Sequence, residues 1–209
     1  MALPMPLRAL DPTQEPAADD PNHWRWTIGT FFRAGELGLF PQEKHVELIE
    51  GEIYIHVSPK GSRHSAARYL LEEVLRDVFG RKFMIRSEEP ILHPDDSAPE
   101  PDISVVAVRQ DHYATEHPKA SDIIVVAEIS DSSLSFDRGT KASHYGKAGI
   151  PEYWIVNLVA DQVEVFRKPD PEIGYREVTI HKKDDVIATL AAPNKPIKVA
   201  DLIPNSLNI

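Results

Sequence analysis

Along this chain the apolar positions change period several times, and each change predicts an element. Over residues 27 to 37, Phe31, Ala34 and Leu37 recur at helical spacing behind Thr27, a side chain able to cap, and Gly38 follows as a stop. That stretch reads as a short helix. Residues 45 to 57 alternate instead, with Val46, Leu48, Ile53, Ile55 and Val57 on a period of two interrupted at Glu50-Gly51-Glu52, which predicts a hairpin around a glycine turn. The strongest helical signal comes next. Ala67, Leu70, Leu71, Val74, Leu75 and Val78 form one face and Arg68, Glu72, Glu73, Arg76 and Asp77 the other, with Ser62 as the expected cap and Gly80 as the stop.

Three strands follow, over residues 83 to 86 running toward Leu92, residues 102 to 108, and residues 122 to 129. The last two are nearly continuous runs of Ile and Val, as expected of central strands buried on both faces. A second helix over residues 135 to 148, stopped by Gly149 and Pro151, leads to a strand over residues 153 to 158. Residues 163 to 166, 175 to 180 and 186 to 190 then predict a terminal antiparallel meander. The order implies a mixed α/β (α+β) architecture, a mixed sheet with helices packed on it. Residues 1 to 22 hold Pro4, Pro6, Pro12, Pro16 and Pro21 beside four acidic residues and read as an extended arm, leaving residues 23 to 209 as one domain.

Composition narrows the chemistry. The chain has no cysteine, so disulfide frameworks and thiolate metal sites are excluded, and any metal must be held by oxygen or imidazole, which favours magnesium or manganese. No apolar run approaches the roughly 20 residues of a membrane helix, and the N-terminus lacks an apolar signal core, so a cytoplasmic location is expected. A net charge of −10 argues on its face against nucleic acid. The charge is uneven, however: residues 60 to 86 carry +4 and residues 87 to 137 carry −10. If DNA is bound, Lys60, Arg63, His64 and Arg68 are its expected contacts, at the start of the basic helix where phosphate is attracted. The acidic stretch is either a solvated face or a cation site.

Asp102 and Glu128 stand out within that stretch, one opening an apolar strand and the other near the end of one. If the two strands are antiparallel neighbours, the carboxylates converge, and a carboxylate pair with water and phosphate oxygens is the usual setting for magnesium. A salt-bridged Glu128 and a turn-capping Asp102 account for the same positions. Glu47 and Glu50 differ in strand parity, so at most one faces such a site, and Glu47 is favoured because Glu50 lies beside the turn. His64 is placed to contact a phosphate or support the metal. Tyr153 and Trp154 could stack on bases, although strand alternation favours core packing.

Pro101-Asp102 followed by Glu128-Ile129-Ser130 resembles the PD-(D/E)XK nuclease superfamily. Glu47-Leu48-Ile49-Glu50-Gly51-Glu52, Ser58-Pro59 with His64, and Lys141 with Tyr145 before Gly149-Ile150-Pro151-Glu152-Tyr153-Trp154 resemble its Uma-type (Uma-two) restriction-endonuclease branch. The match runs from about residue 27 to residue 166. The resemblance implies a restriction-endonuclease-like core in which Asp102, Glu128 and Ile129 are the metal positions, Asp102, Glu128 and Lys141 the catalytic ones, and Glu47 and His64 auxiliary. Ser130 stands where the broader superfamily has lysine. Lys141 is the candidate replacement, expected at an exposed helix position that would tolerate alanine and project back toward the metal. The function implied is hydrolysis of DNA by metal-activated water, in a homodimer if both strands of a duplex are cut. A non-catalytic nucleic-acid-binding or assembly protein, and a hydrolase of small phosphate esters, are the competing readings.

Overall fold

A computed structural model describes residues 24–41, 44–56, 61–93 and 96–205. The arm expected at residues 1 to 22, and Ser58, Pro59 and Lys60, lie outside them. Thr27 caps the first helix, α1 (Ile28–Glu36), reciprocally: its hydroxyl accepts from the Thr30 amide and Thr30 Oγ1 accepts from the Thr27 amide. Phe31 and Ala34 turn inward, but Leu37 sits past the last helical residue and is exposed, so the inward face is shorter than its spacing suggests.

β1 (His45–Ile49) and β2 (Glu52–His56) form the expected hairpin, joined by Glu50 and Gly51 at φ of 50° and 76°. Positive φ at both turn residues matches the twist of the paired strands. The hairpin packs Val46 and Leu48 against Phe31 and Ala98 in a small core of its own.

α2 (Ser62–Phe79) is the long amphipathic helix. Gly61 rather than Ser62 occupies its N-cap position, with no side-chain cap, and Gly80 ends it at φ 57°. Six strands then make the main sheet, adjacent in the order β3 (Phe83–Ser87), β4 (Ile103–Ala107), β5 (Ile123–Ser130), β6 (Glu152–Asn157), β7 (Gln162–Asp170) and β8 (Gly174–Lys182). All neighbours are antiparallel except β5 and β6, whose parallel pairing requires a crossover. The crossover is α3 (Leu134–Phe136), a π-helical turn (Asp137–Lys141) and α4 (Ala142–Lys147).

α2 covers one face of the sheet, with Ala67, Leu71 and Leu75 against Ile103, Val105, Ala127 and Ile129. The crossover covers the other, with Ala142 and Tyr145 against Val126, Tyr153 and Ile155. The chain departs from the expected three-strand meander after β8. β9 (Val186–Ile187) leaves the sheet and pairs with β10 (Ile197–Lys198). The cause is apolar surface beyond α2: Ile187, Ile197, Val199, Leu202 and Ile203 fold back to cover it. Buried Glu152 secures that return by accepting from the Leu190 amide at 2.8 Å. Among the described residues no helix is long and apolar enough to cross a membrane.

Candidate active site

Alternation along two strands creates the site. Ile103 faces α2, so Asp102 just before it faces the other way; Ala127 and Ile129 face α2, so Glu128 does likewise. The antiparallel register sets Ile103 opposite Ala127 and so brings Asp102 beside Glu128. Asp102 Oδ2 accepts from the Ile129 amide at 2.8 Å, and the Asp102 amide donates to Glu128 Oε2 at 3.3 Å. A bulge between Val105 and Val106 reverses parity further along, leaving this end regular.

The crossover supplies the cation. Its π turn, one residue wider than an α turn, sets Lys141 and Tyr145 over Glu128. Lys141 Nζ donates to Glu128 Oε1 at 2.8 Å and lies 3.0 Å from Glu47 Oε1; Tyr145 Oη donates to the same Glu128 oxygen at 2.9 Å. Lys141 is only 5% exposed, which corrects the expected exposed helix position. The turn is fixed from below: Ser130 Oγ and Ser133 Oγ each donate to Asp137 Oδ2 at 2.6 Å. Ser130 therefore anchors the segment that carries Lys141.

Glu47, Asp102, Glu128, Ser133, Asp137 and Lys141 line a cavity of about 410 Å³ between the β1–β2 hairpin, the start of α2 and the crossover. Glu47 enters from β1, buried, and accepts from the Glu100 amide at 2.7 Å and pairs with His56 Nε2 at 2.7 Å. Glu50 turns away toward His144 and Lys147. His64, in the first turn of α2, places Nε2 3.2 Å from Asp102 Oδ2, while its buried Nδ1 has no hydrogen-bond partner.

Residues 31–196 match the family model Uma2, described as "Putative restriction endonuclease". The chain belongs to the Uma2 family. Its fold is similar to that of a solved protein from Anabaena variabilis ATCC 29413, described as "a putative nuclease belonging to DUF820". Identity is 22% and the TM-score 0.63, over 80% of this chain and 95% of the other. No curated protein matches.

In this Uma2 chain four buried carboxylates, Glu47, Asp102, Glu128 and Asp137, line the same cavity as one buried lysine, which pairs with Glu47 and Glu128. Burial alone would raise Glu47, but Lys141, the His56 hydrogen bond and charge, and the Glu100 amide together lower it to about 2. Glu128 goes the other way. Its burial, reinforced by the charges of Asp102, Asp137 and Glu47, outweighs Lys141 and raises it well above the ordinary carboxylate range. Burial likewise raises Asp137. One ammonium thus keeps one neighbour ionised but cannot serve all of them. Burial opposes the charge on Lys141, yet Glu128, Glu47 and Asp137 outweigh it and hold the lysine protonated.

A hard divalent cation fits this donor set. The burial and mutual repulsion that raise Glu128 beside Asp102 are what a bound cation would offset, and all the oxygens are hard ligands. Among the described residues no three acidic or histidine side chains form a ready cage. Two carboxylates with water and phosphate are nevertheless a common magnesium environment. Ile129 can join only through its backbone carbonyl, because its side chain is in the core against α2.

The expected nucleic-acid contacts are differently placed. Arg63 is held by the Leu158 carbonyl and by Asp161, and Arg68 faces Glu88 at 3.8 Å. Tyr153 and Trp154 are fully buried. Sequence reading passed over Asp137 and His56. Both had a signal: Asp137 lies four residues before Lys141 on the same helical segment, and the hairpin register around Gly51 puts His45, Glu47, Tyr54 and His56 on one face.

Proposed function

We propose that this chain is a metal-dependent nuclease that hydrolyses DNA phosphodiester bonds, with magnesium or manganese held by Asp102, Glu128 and the Ile129 carbonyl. The observation that carries this reading is the pairing of Asp102 with Glu128 on adjacent strands beneath a buried, protonated lysine. The family description and the similar solved protein, described as "a putative nuclease", support nuclease activity. A bound divalent ion would supply Lewis acidity toward a phosphate and a lowered pKa for water.

The side chains divide the remaining work. Lys141 is held protonated, so it serves as a hydrogen-bond donor and a positive charge for phosphate oxygens, not as a proton acceptor. Glu47 keeps that ammonium charged and aimed into the cavity. Tyr145 fixes the Glu128 carboxyl, and His64 braces Asp102. The proximity of Lys141 to Glu128 supports a catalytic role over the binding-only alternative, because the cation absent at Ser130 is delivered from the next helix.

Cleavage of plasmid and of single-stranded circular DNA tests the proposal. Cleavage stimulated by magnesium or manganese and lost in Asp102→Ala is the expected result. Metal-independent cleavage, or cleavage unaffected by Asp102→Ala, would overturn it, and turnover confined to small phosphodiesters would replace the DNA substrate with a small ester.

A further inference from the structure

The cavity lining also carries three aromatic side chains, of which only His56, through Glu47, takes part in the arrangement above. Tyr54 and His56 come from β2 and Phe136 from α3, and none is fully buried. The Phe136 ring centroid lies 5.0 Å from that of Tyr54 and 5.4 Å from that of His56. Lys141 Nζ is 6.0 Å from the centre of the Phe136 ring. An aromatic surface and a phosphate-binding ammonium therefore stand about one nucleotide apart.

Charge and size say which form of DNA can use this arrangement. Duplex binding relies on several Lys and Arg side chains facing backbone phosphates. Among the described residues lining the cavity, Lys141 is the only Lys or Arg, set among Glu47, Glu100, Asp102, Glu128, Asp131 and Asp137. The arginines near the rim already face carboxylates, Arg63 at Asp161 and Arg68 at Glu88. A cavity of about 410 Å³ encloses a small molecule or one nucleotide rather than a double helix. Base stacking on aromatic rings compensates for weak backbone electrostatics, and it requires an unstacked base.

We infer that Phe136 and Tyr54 form a nucleobase-stacking subsite and that the substrate is unpaired DNA. One unstacked base seats against these rings while its phosphate reaches Lys141 and the Asp102–Glu128 pair. The inference rests on the nuclease reading of the adjoining site and adds the substrate's strandedness to it. Phe136 is the specificity residue: a stacked base contributes a five- to hundredfold gain in affinity, on the order seen for aromatic stacking in single-strand binders.

Fluorescence anisotropy with the full chain, calcium as the divalent ion and a labelled oligonucleotide tests this without turnover. The wild type should bind the single strand at least tenfold more tightly than the matching duplex, and about tenfold more tightly than the same strand carrying abasic sites. Phe136→Leu, which keeps apolar volume but lacks a π face, should erase the discrimination between intact and abasic strands. Phe136→Trp should retain it. Equal or tighter binding of duplex, undiminished discrimination in Phe136→Leu, or no binding of any strand would overturn the inference. The discrimination without cleavage of either single-stranded or plasmid DNA would sustain the subsite and remove the nuclease reading, whereas cleavage without the discrimination would remove the subsite alone.

Discussion

Lys141 Nζ lies 2.8 Å from Glu128 Oε1 and 3.0 Å from Glu47 Oε1, so one buried cation ties the hairpin to the main sheet through strands that do not pair with each other. The lysine is as much a part of the fold as of the proposed chemistry.

Removing it should be costly. Lys141→Met leaves Glu47 and Glu128 buried without their shared partner, and breaking a buried ion pair from one side typically costs about 3–5 kcal/mol. Thermal unfolding of the metal-free variant at neutral pH should fall by roughly 10 °C. A melting temperature within a degree of wild type would mean that the lysine is not the charge partner described.

The π turn has a second anchor that responds to pH. Arg138 donates to Glu164 through Nε at 2.8 Å and Nη2 at 2.6 Å, and Asn157 and Gln162 donate at 2.8 and 3.1 Å. Burial alone would raise this carboxyl, but those three donors outweigh it and lower it below its usual value of 4.5. Because the folded pKa is depressed, the stability Glu164 contributes is complete above about pH 4.5 and is lost as pH falls through the lowered value. Glu164→Gln should therefore destabilise the protein by about 2 kcal/mol at pH 7. The gap to wild type should close in acid, below pH 4.5. A difference independent of pH in chemical denaturation would show that packing, not charge, accounts for the loss.

Much of this architecture was legible along the chain, and the failures have physical causes. Strand alternation and an antiparallel register suffice to pair Asp102 with Glu128, and hairpin parity with the position of Glu50 beside the turn separates Glu47 from Glu50. The burial of Lys141 was hidden because a π turn shifts the helical face by one residue, and no apolar period marks it. The partners of Arg63 were hidden by distance: Asp161 is 98 residues away, across a contact that only the folded chain makes. The ribbon of β9 and β10 follows from apolar surface left uncovered by α2, which no local pattern announces.

Gly146 stands in no sequence motif, yet it is where α4 meets the β7–β8 turn. A Cβ built there would lie 2.1 Å from the Gly174 carbonyl oxygen, a backbone atom that cannot swing aside. Gly146→Ala should cost about 3 kcal/mol, despite the better helix propensity of alanine, because overpacking against backbone forces the helix off the sheet. Equal or higher stability by calorimetry would refute that close approach.

Isothermal titration of manganese into wild type and Asp102→Asn addresses the central claim that Asp102 and Glu128 share one divalent ion. Asparagine can still accept from the Ile129 amide, and it removes a buried charge that disfavours ionisation of Glu128, so the metal-free variant should fold and melt no lower than wild type. The account predicts one manganese per chain for the wild type and none measurable for Asp102→Asn; undiminished binding by a folded Asp102→Asn would contradict it.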